Sequence, residues 1–76
     1  MDYRKKTLDK KETGRRINSL IAGSGMTYEE IASLLELSSP MVIYEWIKGS
    51  KLPSLENLAN LALILSVEME SIVALR

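Results

Sequence analysis

Signals that start and stop helices recur along this chain, and their spacing constrains its fold more than any other feature of the sequence. Residues that favour helix N-caps stand at Asp9, Thr27, Ser39, Ser54 and Ser66. Apolar residues follow each of them at the three- and four-residue spacing of a helix face. No segment shows the sustained apolar–polar alternation of a strand. The sequence therefore predicts an all-α, compact five-helix domain without a sheet.

The predicted helix boundaries follow from these caps and from glycine and proline. The first helix is expected over Lys10–Ala22, before a Gly-Ser-Gly stretch. Thr27 opens the second helix. The third begins near Pro40, because proline suits the first helical position, and it ends at Gly49. A fourth helix follows the next serine cap, and a fifth is expected over Val67–Leu75.

Each predicted helix has one apolar face, and these faces are expected to meet in a single core. At 76 residues that core is modest, so stability depends on how well the helices pack. Leu34 is assigned to the buried stripe of the second helix, and Trp46 and Ile47 to that of the third. The residues expected to form the core are Ile17, Leu20, Ile31, Leu35, Ile43, Leu58, Ala62 and Leu65.

Charge is distributed unevenly, although the formal net charge is zero. Residues 1–16 hold seven basic and three acidic side chains, whereas residues 17–76 hold three basic and seven acidic ones. A polyanion responds to a local basic patch and not to the overall sum, but a basic segment can also serve solubility alone. The chain is divided accordingly into a basic N-terminal arm, residues 1–9, and a helical domain, residues 10–76.

The composition argues against several classes of function. The absence of cysteine excludes disulfides and thiolate zinc sites, and the absence of histidine removes the commonest metal ligand and general base. No nucleophile–base set or phosphate loop is present, so no enzyme activity, metal, cofactor or small-molecule substrate is expected. No apolar run reaches membrane-spanning length, and the N-terminus does not read as a secretory signal. No membrane partner is expected, and the expected location is cytoplasmic.

Between Thr27 and Gly49 the sequence predicts a helix, a tight turn and a second helix, the arrangement that can place a helix in a DNA major groove. Around it stands a series of short motifs, each weak alone but specific in order and spacing. They are Gly14–Ile17, Gly25–Thr27, Glu29–Ala32, Leu37–Pro40, Ile43–Tyr44, Trp46, Gly49, Leu52–Ser54 and Asn57–Leu58. With them, residues 13–75 resemble the repressor/Cro-like helix-turn-helix family of bacterial and phage regulators. The resemblance implies a five-helix fold, double-stranded DNA as partner and transcriptional regulation.

The chain departs from the family pattern at the turn and at the start of the second helix. Glu36 stands where the family usually has glycine, and Ser38-Ser39 stand where it usually has one serine, so the turn is expected to differ. Tyr28 stands where many members have a phosphate-contacting glutamine. Its hydroxyl can make the same contact, or its ring can pack on Gly25-Met26 at the surface.

A further departure concerns two isoleucines. Many members of the family have an arginine late in the first helix and a glutamate in the third, which form an ion pair, whereas this chain has Ile21 and Ile47 there. Replacing both partners of a buried ion pair with apolar groups is often neutral or stabilising. We expect these residues to make the same interhelical contact in apolar form; the alternative is two unrelated surface isoleucines.

The exposed end of the third helix is the expected base-reading surface, formed by Pro40, Met41, Tyr44 and Glu45. Pro40 and Met41 offer only apolar contacts, for example to a thymine methyl group, and Tyr44 can bond phosphate or a base. Glu45 can accept a hydrogen bond from cytosine but repels phosphate. Readout is then expected to depend on few hydrogen bonds or on DNA shape. The alternative is that Met41 and Val42 pack under a partner chain.

Polar and basic residues around that surface are the expected contacts to the DNA backbone. Lys48, Ser50 and Lys51 flank the end of the third helix, with the Gly49 and Ser50 amides beside them. Lysines that are simply solvated are the alternative. The full set of expected backbone contacts is Arg15, Thr27, Tyr28, Ser39, Lys48, Ser50 and Lys51.

Two functions stay open at this stage. The first is a sequence-specific DNA-binding transcriptional regulator, expected to be a repressor, which the basic segment and the family resemblance favour. The second is a protein-interaction helix-turn-helix module with weak DNA affinity, such as an antitoxin or adaptor, which the zero net charge, Met41 and Glu45 favour. The regulator is expected to be a homodimer through late apolar residues, namely Met69, Ile72, Val73 and Leu75.

Overall fold

A computed structural model describes residues 4–76. The first three residues of the predicted arm lie outside this range. Within it, no helix is long and apolar enough to cross a membrane. The helices are α1 (Lys10–Ser24), α2 (Tyr28–Leu34), α3 (Met41–Lys48) and α4 (Leu55–Leu65), followed by a 3-10 turn at Met69–Ser71.

Three of the helices start at their predicted caps. The side-chain oxygens of Asp9, Thr27 and Ser54 accept the backbone N–H three residues further on, at 3.0, 3.1 and 3.1 Å. At Thr27 the cap is reciprocal, because the Glu30 carboxylate accepts the Thr27 N–H at 2.8 Å. These bonds satisfy donors that the first turn of a helix leaves without an intrahelical partner, and so they confirm the predicted starts.

Two glycines in the left-handed conformation end α1 and α3. Gly25 (φ 77°) lets α1 run two residues further than predicted, and Gly49 (φ 80°) ends α3 where expected. The start of α3 differs slightly from the prediction. Pro40 is the N-cap residue, already in a helical conformation, and the Met41 N–H donates to the Ser39 hydroxyl oxygen at 3.2 Å.

The core forms where α1 packs on α3, with α2 and α4 closing it. All eight predicted core residues take part in it: Ile17, Ile31, Ile43 and Ala62 are buried, and Leu20, Leu35, Leu58 and Leu65 are half-buried against them. The assignment of Leu34 to this core is wrong, because its side chain is 59% exposed. The short helix α2 packs through Ile31 and Ala32, with its C-cap residue Leu35 beside them, and Leu34 points to another side of the helix.

The two isoleucines that replace the family's ion pair both belong to this core. Ile21 is 3% exposed, and Ile47 is half-buried against the cluster that contains it. Both side chains therefore belong to one apolar cluster, and a direct contact between them stays a prediction. The apolar core therefore includes two positions at which an ion pair would have to be desolvated.

The predicted fifth helix is wrong, and with it the count of five helices. Ser66 is the left-handed C-cap of α4 (φ 57°) and not the N-cap of a new helix. The segment that follows makes only the 3-10 turn, because its backbone groups find partners elsewhere. The Ala74 N–H donates to the buried Thr13 hydroxyl at 3.0 Å, and the Arg16 guanidinium donates to the Val73 carbonyl at 3.0 Å.

The last residues of the chain pair with the end of the predicted N-terminal arm. Leu8 and Leu75 form an isolated antiparallel bridge. The Asp9 N–H donates to the Ala74 carbonyl at 2.8 Å, and the Arg76 N–H donates to the Thr7 carbonyl at 2.9 Å. These bonds place residues 7–9 against the domain, beside the start of α1.

The turn between α2 and α3 keeps the geometry for which the family usually has glycine. Glu36 adopts the left-handed conformation (φ 56°), which is disfavoured by about 1–2 kcal/mol in a residue with a Cβ atom. Its N–H donates to the Ser33 carbonyl at 3.1 Å, and the Leu37 N–H donates to the Ala32 carbonyl at 2.9 Å. The turn therefore forms despite the glutamate and stores some backbone strain.

Candidate nucleic-acid interface

The exposed side of α3 is a mixed apolar and polar surface. Ile43 and Trp46 face the core, whereas Met41 is 62% exposed and Tyr44 is 40% exposed. Of the other two residues predicted to read bases, Pro40 and Glu45 are half-buried. Met41 and Tyr44 are therefore the most accessible side chains at the start of the helix.

A glycine in α1 fixes how closely α3 lies against the domain. A Cβ atom at Gly14 would lie 2.3 Å from the Trp46 carbonyl oxygen and 2.5 Å from the Ile47 carbonyl oxygen. Two backbones approach this closely only where one of them has no side chain. The glycine in the Gly14–Ile17 motif thus sets the position of α3, and with it the direction of its exposed residues.

Tyr28, at the start of α2, connects α3 to α1. Its ring packs edge-on against the ring of Tyr44, with 5.0 Å between the centroids and 62° between the planes. Its hydroxyl lies 2.5 Å from Oδ1 of Asn18, to which it donates. Sequence reasoning missed Asn18, because this hydrogen bond depends on how α1 and α2 pack and has no local signature.

Glu45 and Lys51, which sequence reasoning assigned to base reading and to backbone binding, form an ion pair. Their Oε2 and Nζ atoms are 3.6 Å apart, and the side chains are 36% and 68% exposed. The pairing offsets the repulsion that Glu45 would exert on phosphate and reduces the attraction that Lys51 would exert. The two paired charges therefore contribute little net electrostatic potential at the end of α3.

The backbone amides after α3 close the helix. The Gly49 N–H donates to the Trp46 carbonyl at 3.1 Å, and the N–H groups of Ser50 and Lys51 donate to the Glu45 carbonyl at 3.0 and 3.3 Å. The Gly49 and Ser50 amides, which stand beside the expected phosphate contacts in the sequence, are therefore already engaged by the C-terminal carbonyls of α3. The Lys48 side chain is exposed beside them.

The remaining predicted backbone contacts take part in local interactions. Arg15 makes two hydrogen bonds to the Glu12 carboxylate, from Nε at 2.8 Å and from Nη2 at 2.6 Å. Hydrogen bonding by Arg15, followed by that of Arg16, lowers the pKa of Glu12 to about 2 despite partial desolvation. Thr27 and Ser39 use their hydroxyl oxygens at the helix starts.

Lys11 lies close to the end of α3, and sequence reasoning did not single it out. A Cβ atom at Gly49 would lie 3.0 Å from Cα of Lys11, so the first turn of α1 and the last turn of α3 are in contact. This contact brings one residue of the basic N-terminal segment next to the loop that carries Lys51. Among residues 4–76, no three or more acidic side chains come together as a metal site would require.

The arrangement of α2, the turn and α3 defines a helix-turn-helix domain. The model of a helix-turn-helix family matches residues 17–72, and the chain belongs to this family, the Cro/C1-type regulators. The chain is similar to the crystal structure of the restriction-modification controller protein C.AhdI from Aeromonas hydrophila, with a TM-score of 0.73 and 26% sequence identity. The match covers 82% of this chain and 92% of that protein. Comparison with curated protein sequences gives no match. The family is one of DNA-binding regulators and not of enzymes.

Proposed function

We propose that the protein is a sequence-specific DNA-binding transcriptional regulator that acts as a repressor, with the start of α3 in the major groove. The observation that carries this proposal is the exposure of Met41 and Tyr44 on the second helix of a helix-turn-helix domain. Because double-stranded DNA is the proposed partner, the proposed place of action is the cytoplasm.

The two kinds of contact divide by chemistry. Pro40, Met41, Tyr44 and Glu45 carry shape and hydrogen-bonding groups but little net charge, so they are proposed to face base edges. The proposed contacts to the DNA backbone are Arg15, Thr27, Ser39, Lys48, Ser50 and Lys51, whereas Tyr28 is proposed to act through Asn18, to which its hydroxyl donates. Lys48 is the strongest of these candidates, because its exposed ammonium group has no ion-pair partner among residues 4–76.

A homodimer is part of the proposal, since two-fold symmetry lets two such domains bind adjacent half-sites. The surface predicted from sequence needs correction, because Ile72 is fully buried in the core of its own domain. The proposed surface centres on Leu55 and Leu63 of α4, which are 75% and 76% exposed and line two grooves that share Met69. Sedimentation at micromolar concentration is expected to show a dimer, and Leu63→Asp a monomer. A monomeric wild-type protein would remove the dimer from the proposal.

Salt dependence of binding to duplex DNA tests the proposed function. Wild-type protein is expected to bind random duplex DNA with an affinity that falls steeply with salt, because cationic side chains release counterions from phosphate. Lys48→Ala should weaken binding to all sequences alike and lower the logarithmic salt slope by about one. Tyr44→Ala should weaken binding to a preferred sequence more than to random DNA. Binding without salt dependence would contradict the proposal.

The second candidate function is a protein-interaction module, such as an antitoxin or adaptor. It is supported by two exposed apolar side chains on the helix-turn-helix, Met41 at 62% and Leu34 at 59%. Methionine in particular is common on surfaces that bind protein, because its flexible side chain adapts to a partner. The salt titration separates the two candidates, because only DNA binding requires a steep slope.

A further inference from the structure

The hydrogen bond between Tyr28 and Asn18 fixes which way the Asn18 carboxamide points. The two heavy atoms are 2.5 Å apart. Hydrogen bonds between two oxygens are found from about 2.5 Å, whereas those between nitrogen and oxygen begin near 2.7 Å. The carboxamide oxygen therefore faces the tyrosine hydroxyl, and the tyrosine proton is engaged in this bond.

The other half of the Asn18 carboxamide is free. Because the Asn18 oxygen faces Tyr28, the Nδ2 amide group of Asn18 (its amine, for short) points away from Tyr28. This group has no hydrogen-bond partner within residues 4–76. An amide nitrogen carries two donors, and phosphate oxygens are acceptors only. Asn18 thus offers what a phosphate requires, whereas the Tyr28 hydroxyl has already given its only proton to Asn18.

The same tyrosine places this amine at the border of the base-reading surface. The Tyr28 ring lies against the ring of Tyr44, one of the two most accessible side chains at the start of α3. Phosphates line both edges of a major groove that is about 12 Å wide, so a side chain beside the groove-facing helix meets the backbone. Asn18 is therefore connected to Tyr44 through the side chain of Tyr28, which contacts both.

We propose that Asn18 donates from Nδ2 to a DNA backbone phosphate, and that Tyr28 is the positioning residue that orients this amine. The inference rests on the proposed function, since it assumes that α3 faces DNA. It transfers the contact expected of the Tyr28 hydroxyl to a residue of α1. The contact carries no sequence information and strengthens binding to all duplexes.

Asn18→Asp is the sharpest test, because aspartate keeps the acceptor for Tyr28 and replaces the amine with a charged acceptor that repels phosphate. The matched control is Asn60→Asp on α4, which makes the same change of charge at an exposed asparagine whose amine donates to the Glu56 carbonyl. Affinities for one random duplex are measured by fluorescence anisotropy at two salt concentrations. Circular dichroism melts verify that each variant is folded.

Asn18→Asp is expected to weaken binding about tenfold more than Asn60→Asp, as the loss of a hydrogen bond to a charged group does. If both variants bind equally, the Asn18 contact is refuted, while salt-dependent binding by wild type still supports the proposed function. Absence of wild-type binding refutes both.

Tyr28→Phe separates orientation from direct contact, because it removes the hydroxyl and keeps the ring against Tyr44. In the proposed arrangement Tyr28→Phe and Asn18→Ala are not additive, since the phenylalanine variant loses only the orientation of the amine. If Tyr28→Phe weakens binding while Asn18→Ala leaves it unchanged, the tyrosine hydroxyl itself binds phosphate and the proposal is overturned.

Discussion

Alanine at Gly14 is expected to destabilise the domain, although alanine is the better helix former. Its Cβ atom would lie 2.3 and 2.5 Å from the carbonyl oxygens of Trp46 and Ile47, whereas non-bonded heavy atoms prefer about 3.5–4.0 Å. Backbone oxygens cannot rotate away as the end of a side chain can. The helices α1 and α3 must therefore separate by about 1 Å, which loosens the core around Ile17.

The magnitude follows from two opposing effects. Alanine in a helix interior gains about 1 kcal/mol over glycine, and overpacking of this kind costs about 1–3 kcal/mol or more. Because the obstruction is backbone, we take the upper end and expect a net loss of about 2 kcal/mol of unfolding free energy. Gly23→Ala is the matched control in the same helix, since nothing lies within 4 Å of its added Cβ atom. It should leave stability unchanged or raise it by up to about 1 kcal/mol.

Urea denaturation followed by circular dichroism measures both variants against wild type. The two variants are expected to change stability in opposite directions, with Gly14→Ala less stable than wild type and Gly23→Ala at least as stable. A Gly14→Ala protein as stable as wild type would refute the close approach of α1 and α3, and with it the position of α3 that the candidate interface requires.

Three further predictions concern the turn, the core and the first helix. Glu36→Gly should raise the unfolding free energy by about 0.5–1 kcal/mol in denaturant melts, because glycine relieves the left-handed strain at this position. The greater entropy of glycine in the unfolded chain offsets part of this gain. Lower stability of the variant would show that the turn is not strained. Ile43→Ala should lower the unfolding free energy by about 2–5 kcal/mol, and a change below about 0.5 kcal/mol would mean that α3 is misplaced. The pKa of Glu12, depressed from 4.5 to about 2 by Arg15, means that the carboxylate stabilises the fold above pH 4.5 and loses this effect as the pH falls towards 2. The stability difference between wild type and Glu12→Gln should therefore shrink over that range in melts recorded across pH, and a constant difference would contradict the pairing.

Local capping and periodicity were sufficient to predict four of the helices. The Asp9, Thr27 and Ser54 caps depend on residues within one turn, so sequence alone identifies them. The prediction of the fifth helix was wrong because hydrogen-bond partners distant in sequence outweigh the local helix propensity of this segment. Thr13 and Arg16 bind the backbone of the last residues from α1, and no local pattern signals such bonds.

The candidate site shows the same limit. Exposure of Met41 and Tyr44 on α3 followed from helical periodicity and was predictable. Asn18 depends on the packing of α1 against α2, and the pairing of Glu45 with Lys51 depends on the path of the chain after α3. Residue types revealed which side chains can contact DNA, but only the fold shows which of them are already engaged with each other.

Charge reversal on α3 tests most directly the claim that this helix faces DNA. Glu45→Lys removes the partner of Lys51 and places a second positive charge beside it, and Glu70→Lys makes the same change at an exposed residue after α4. Fluorescence anisotropy with random duplex DNA across salt should show tighter binding and a steeper salt slope for Glu45→Lys than for Glu70→Lys. Equal effects of the two variants, together with wild-type binding that does not depend on salt, would contradict the placement of α3 against DNA.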